Sequence, residues 1–287
     1  MKITVLIFAL LIFQILTSFA QDTLVITKKN VYKKVGNMEL SVDMFYTASS
    51  QQKSDNTAIA LFHGGGWVFG DPTEFYEACR RYARKGYVTF SFQYRLSRNA
   101  DGTYPHPDIT PVESTKDARS AIRWLRENAG MLKINPDKIV AGGQSAGGQL
   151  ALATALLDSI NEISDNMKIT PVPNALLLYS SNVNTMEPWI DMLLGERRKE
   201  IWSISPYHNL RKNMPPAIAF SGDEDDQVLP YITSLYKAKT LELGNYYELH
   251  TYPGRKHYLG EGNKKYARYF DEEMLEKTDA FLKKFGF

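Results

Sequence analysis

The segment Gly143-Gln144-Ser145-Ala146-Gly147 sets a serine between two glycines, with Gly142 before it and Gly148 after it. Asp137–Ala141 ahead of it reads as a strand, and Ala146–Leu157 behind it as a helix rich in small residues. A serine at a sharp strand-to-helix turn is forced into a strained backbone conformation. The glycines are needed because side chains at their positions would strike the adjoining strand and helix. The chemistry such a turn supports is nucleophilic: it lifts the Ser145 hydroxyl clear of the sheet and aims the Ala146 amide, first of the helix, at a developing oxyanion. A phosphate-binding loop is also glycine-rich, but this segment lacks the P-loop lysine and the Gly-x-Gly-x-x-Gly spacing.

A second constellation comes directly after the apolar run Ala58–Phe62: His63-Gly64-Gly65-Gly66-Trp67. Three consecutive glycines expose backbone amides with no side chain in the way. Two of them, Gly65 and Gly66, together with Ala146 form a set of donors able to hold a tetrahedral oxyanion.

The elements that must carry these residues alternate. Val31–Val35 and Leu40–Tyr46 flank Gly36-Asn37 as a predicted hairpin. Further strands are expected at Ala58–Phe62, Tyr87–Tyr94, Asp137–Ala141, Ala175–Tyr179, Ala217–Phe220 and Tyr246–Tyr252. Helices are expected at Thr73–Arg84, Val112–Asn128, Ala146–Leu157, Pro230–Leu243 and Glu272–Phe285. Apolar strands alternating with amphipathic helices predict an α/β fold, a mostly parallel eight-stranded sheet flanked by helices, with a small insert before the next-to-last strand. Ligands of such sheets sit at the carboxyl ends of the strands.

On these motifs, together with Tyr94-Arg95-Leu96 and Asp117–Asn128, the chain resembles the α/β-hydrolase family over residues 30–287. Within it the chain is most similar to the His-Gly-Gly-Gly branch: hormone-sensitive-lipase-like esterases and carbohydrate acetyl or feruloyl esterases of the BD-FAE kind. The resemblance implies a nucleophile, an acid and a histidine in that chain order. The acid belongs after the next-to-last strand, where Asp223, Glu224, Asp225 and Asp226 stand together. Residue chemistry alone leaves all four open; the family pattern Gly-x-x-Asp-x-x-Val selects Asp225. The histidine belongs after the last strand, which selects His257 over His63, His106, His208 and His250. Arg255-Lys256 departs from the small residues usual before that histidine. The implied reaction is ester hydrolysis through an acyl-enzyme, without metal or cofactor. The implied substrate is a small-molecule or carbohydrate ester, above all an acetyl ester of xylan, with feruloyl esters and general short-chain esters as alternatives. A serine exopeptidase and a non-catalytic binding module are the rivals from other classes.

Composition bounds the rest. The chain has 287 residues, 44% hydrophobic, 23% charged and 12% aromatic, with a formal net charge of +2. This is globular composition without the basic field of a nucleic-acid partner. One cysteine, Cys79, excludes an intramolecular disulfide framework. Residues 1–20 read as a secretory signal: Lys2, an apolar core, then Ser18-Phe19-Ala20. The expectation is a cleaved leader (1–20), one catalytic domain (21–287), and a secreted or periplasmic product not held by a membrane. Trp67 is the expected substrate contact. The insert 182–210 holds Trp189, Trp202 and Tyr207, which suit either packing on the sheet or lining a pocket.

Overall fold

A computed structural model of the chain describes residues 24–260 and 270–287. The expected leader and its cleavage site lie outside the described residues.

Eight strands form one sheet: β1 (Val25–Val35), β2 (Met38–Thr47), β3 (Asn56–Phe62), β4 (Val88–Phe92), β5 (Ile134–Gln144), β6 (Ala175–Tyr179), β7 (Ala217–Gly222) and β8 (Tyr247–Tyr252). Their order is β1-β2-β4-β3-β5-β6-β7-β8. β2 is antiparallel to both β1 and β4, and every other pairing is parallel. The α/β expectation of a mostly parallel eight-stranded sheet therefore holds. Among the described residues, six α-helices of seven residues or more flank it: α1 (Tyr76–Arg84), α2 (Pro111–Glu127), α3 (Ala146–Leu156), α4 (Pro188–Leu194), α5 (Pro230–Glu242) and α6 (Glu272–Lys284).

Side-chain alternation along the central strands builds two apolar layers. Ala58, Ala60 and Phe62 of β3 join Leu176 and Leu178 of β6 under α2, α3 and α5. Ile59 and Leu61 join Leu177 and Ile218 on the other face, against α1 and α6. Both faces are covered, so β6 and the Ala58–Phe62 run of β3 are apolar.

β1 begins six residues before the predicted hairpin strand. Thr27, Lys28, Lys29 and Asn30 hide it from a hydrophobic reading, because β1 is an edge whose first half is largely exposed. Lysines on an exposed edge also discourage pairing with another chain. The predicted helix at Thr73–Arg84 opens instead with a 3-10 turn over Pro72–Phe75, capped by the Asp71 carboxylate accepting from Thr73 N at 2.8 Å.

Two motif residues with no evident chemistry prove to be structural. Asp117 on α2 is fully buried and accepts from Arg95 N (2.9 Å), Nε (2.8 Å) and Nη2 (2.7 Å), and from Lys33 Nζ at 2.6 Å. Glu162 closes the cluster, 2.7 Å from Arg95 and 3.0 Å from Lys33. The pairing locks β1, the loop after β4 and α2 together.

Candidate active site

β3, β5, β7 and β8 run the same way, and their ends are level: Phe62 pairs with Gly143, Gln144 with Tyr179, and Gly222 with Tyr252. The segments that leave these strands therefore meet at one rim of the sheet. They are His63–Trp67, Ser145, the Asp223–Asp226 cluster and the loop to His257.

Ser145 joins β5 to α3 with φ +53° and ψ −118°, a conformation a non-glycine residue seldom adopts. Its neighbours hold it there. Ser145 N donates to Tyr179 O at 3.0 Å, and Ser145 O accepts from Gln149 N and Asn182 N, each at 3.1 Å. A Cβ on Gly143 would sit 2.6 Å from Phe62 O, and one on Gly147 would overlap the Phe62 and His63 carbonyls. The two motif glycines are thus what lets the turn pack against the end of β3.

The His63–Trp67 loop is held from several sides. Gly65, Gly66 and Trp67 all have positive φ, at 112°, 61° and 61°. Gly65 O accepts from Phe69 N at 2.8 Å, Tyr94 Oη donates to His63 O at 2.9 Å, and Trp67 O accepts from Ser97 N at 2.7 Å. His63 is buried and stacked on Tyr94 with ring centroids 4.3 Å apart. Burial lowers its pKa to about 4, so it is a neutral brace at physiological pH. Trp189 Nε1, from α4 in the insert, donates to Gly66 O at 3.1 Å.

Of the four clustered acids, Asp223, Glu224 and Asp226 are exposed and Asp225 is buried. His257 Nδ1 lies 2.9 Å from Asp225 Oδ2 and 3.1 Å from Oδ1. Asp225 Oδ1 also accepts from Gln227 N (2.9 Å) and Val228 N (2.8 Å). The two loops meet through backbone: a Cβ on Gly222 would overlap Arg255 O, and Arg255 O accepts from Glu224 N at 3.1 Å. Asp223 Oδ1 accepts from Gly254 N at 2.6 Å. Arg255 departs from the expected small residue because its guanidinium braces the loop, donating to Leu259 O at 2.8 Å. On the other side of the ring, Gln144 Nε2 donates to His257 Nε2 at 3.1 Å. Among the described residues Ser145 Oγ makes no hydrogen bond to the imidazole. An ionised carboxylate on Nδ1 and an amide donor on Nε2 together fix the tautomer with its proton on Nδ1.

Ser145, Gln144 and His257 border one cavity of about 490 Å³ with Gly65 and Gly66 on its wall. The structure thus places Ser145, His257, Gly65 and Gly66 on one cavity, with Asp225 against the imidazole and Ala146 opening the helix directly after the serine. It leaves the other histidines elsewhere: His106 accepts in its own turn, His208 pairs with Ser205, and His250 with Glu248. Trp67 borders the cavity but is 2% exposed, and its Nε1 donates inward to Gln149 Oε1 at 3.2 Å. It offers a substrate little surface. Trp189 supplies an indole to the wall in its place, whereas Trp202 is exposed against His208 and Tyr207 packs under Lys239.

Two residues at the cavity escaped sequence reasoning. Gln144 carried a usable signal, being the residue just before the motif serine. Glu187 carried none, preceding only a Pro188 that starts a short helix. Glu187 Oε1 accepts from Asn182 Nδ2 at 3.2 Å, and burial, with Asp225 nearby, raises its pKa to about 7.

Residues 42–240 match the family model BD-FAE. An arylesterase of Saccharolobus solfataricus is 32% identical over 154 residues, covering 53% of this chain and 46% of that protein. An acetylxylan esterase of Xylanibacter ruminicola is 28% identical over 235 residues, 79% of this chain and 45% of that protein. The chain spans less than half the length of these curated relatives. A thermophilic esterase of the Planctomycetes species Thermogutta terrifontis, solved with bound propionate, superposes with a TM-score of 0.81 at 30% identity, covering 91% of this chain and 95% of that one. With the motifs, the sheet order and this match in agreement, the chain belongs to the BD-FAE family and has the α/β-hydrolase fold.

Proposed function

We propose that the protein is a serine carboxylic-ester hydrolase that removes short acyl groups, acetyl on xylan or a related carbohydrate foremost. The observation that carries the esterase reading is the 2.9 Å contact of His257 Nδ1 with buried Asp225, on a ring that shares its cavity with Ser145. Ser145 Oγ attacks the ester carbonyl and passes its proton to His257 Nε2, which returns it to the departing alcohol. For this the Gln144 amide yields Nε2 to the serine hydroxyl as substrate arrives. Asp225 keeps the proton on Nδ1 and stabilises the imidazolium. The amides of Gly65, Gly66 and Ala146 hold the oxyanion, and water then releases the acid from the acyl-enzyme. The reaction needs no metal or cofactor.

The likeness to an esterase solved with propionate supports a short acyl group. The carbohydrate ester rests on the likeness to an acetylxylan esterase. The test is acid release from acetylated xylan set beside p-nitrophenyl esters of rising chain length. Acetate release from xylan and rates that fall beyond short acyl chains are expected; a preference for long chains refutes the reading. Ser145→Ala should abolish turnover with the fold retained. We also propose export through a cleaved leader, for which the intact mass of the mature protein should begin at Gln21.

A further inference from the structure

A second cleft of about 360 Å³ adjoins the catalytic cavity and shares Asn182, Glu187, Trp189, Gln227 and Val228 with it. It lies between the start of α4 and the segment Asp226–Ile232 leading into α5. The same segment supplies the two backbone donors that hold Asp225, the carboxylate against His257, so the cleft adjoins the acid and histidine pair. In ester hydrolysis the imidazole must reach the departing oxygen, so the alcohol portion of the substrate lies on that side. An acetyl group is too small to need a second cleft, whereas the alcohol it esterifies is not.

The walls specify the alcohol. Tyr231 is 60% exposed and offers a ring to the cleft. Asp226 and Gln227 make no side-chain hydrogen bond or ion pair among the described residues. Asn184 Oδ1 accepts from Met186 N at 3.1 Å, and among the described residues its amide nitrogen makes no hydrogen bond. An alkyl or plain aromatic alcohol would cover these acceptors and donors without pairing them, which weakens its binding. A hydroxylated ring pairs them and lays its C–H face on Tyr231. The volume is at the lower end of small-molecule sites, roughly 300–1,000 Å³, and suits a single ring.

We infer that this second cleft is the leaving-group subsite and that it takes a sugar unit bearing the acylated hydroxyl. The inference rests on the carbohydrate-ester reading above and adds the residues that would recognise the sugar.

The experiment compares acetylated xylotriose with ethyl acetate, whose alcohol is too small to occupy the subsite, for wild type, Tyr231→Ala and Asp226→Ala. Both side chains are exposed, so folding is expected to persist, and circular dichroism checks it. The ratio of kcat/KM for the sugar ester to that for ethyl acetate should fall at least ten-fold in Tyr231→Ala, mainly through KM, and several-fold in Asp226→Ala. Unacetylated xylotriose should inhibit wild type competitively and inhibit Tyr231→Ala more weakly. If wild type hydrolyses both substrates and the ratio does not move in either variant, the subsite assignment falls and the carbohydrate reading stands. If wild type hydrolyses ethyl acetate but not the sugar ester, the carbohydrate reading falls and takes the subsite with it.

Discussion

Replacing Asp225 by Asn tests the proposed chemistry with almost no change of shape. Asp225 Oδ1 accepts from two backbone amides, Gln227 N at 2.9 Å and Val228 N at 2.8 Å. In the Asp225→Asn variant the side-chain carbonyl oxygen must stay at that position, because an NH2 group there would face two donors. The NH2 group is then forced to the Oδ2 position, 2.9 Å from His257 Nδ1. A donor aimed at Nδ1 turns it into an acceptor and moves the ring proton to Nε2, the nitrogen that must take the proton of Ser145. The base is lost without loss of contact. A wrong tautomer of this kind lowers kcat by about 10⁴, equivalent to about 5.4 kcal/mol of transition-state stabilisation at 1.36 kcal/mol per decade. Steady-state hydrolysis of p-nitrophenyl acetate, with thermal unfolding of the same preparation, measures both consequences. The exposed neighbour serves as control: Glu224→Gln should keep its rate within two-fold. A folded Asp225→Asn enzyme within ten-fold of the wild-type rate would refute the assignment of Asp225.

Three further outcomes are expected. Asp117→Ala strands Arg95 and Lys33 with Glu162 as their remaining carboxylate. Breaking a buried ion cluster in this way costs about 3–5 kcal/mol; at roughly 2–4 °C per kcal/mol, calorimetry should record a melting temperature lower by about 6–20 °C. Glu187 titrates at about 7 because it is buried beside Asp225, so it is neutral at pH 6 and charged at pH 8. Hydrolysis of an anionic ester relative to a neutral one should therefore fall across that interval, and Glu187→Gln should flatten the ratio. The folded pKa stands above the ordinary carboxylate value, so the native state binds the extra proton. This group's contribution to stability is full below about 4.5 and declines as pH rises to about 7, a slope that urea titrations should find absent in Glu187→Gln. Trp189→Phe removes the indole donor to Gly66 O; loss of one such bond, about 0.5–1.5 kcal/mol, should lower kcat roughly 2- to 13-fold in stopped-flow or steady-state assays.

The sheet was legible because a strand covered on both faces has only one composition open to it. Ile59, Leu61 and Leu177 face one layer while Ala58, Ala60 and Leu176 face the other, and no polar residue interrupts them. β1 was half hidden for the opposite reason, since an edge in water tolerates Lys28 and Lys29. Ser145 and the three glycines were readable because their backbone demands exclude other residues. Asp225 was not separable by chemistry from the acids around it. What separates it is burial under His257 and a pair of amides two and three residues on, which only the folded loop displays. Trp189 meets Gly66, 123 positions earlier, and Glu187 feels the charge of Asp225 from another loop, and no local pattern encodes either meeting. Arg95 and Asp117 were visible as motif letters, but their purpose lies in a pairing that local reading does not reveal.

The indole hydrogen bond from α4 to the carbonyl of Gly66 makes the insert a structural support of the glycine loop. Selection acting on the insert to admit a new substrate would also disturb the amides proposed to hold the oxyanion. Laboratory evolution of the insert should therefore yield altered specificity and slowed turnover together, with speed regained through second-site changes around Trp189. Grafting an insert from a relative without its tryptophan should give a binder before it gives a fast enzyme.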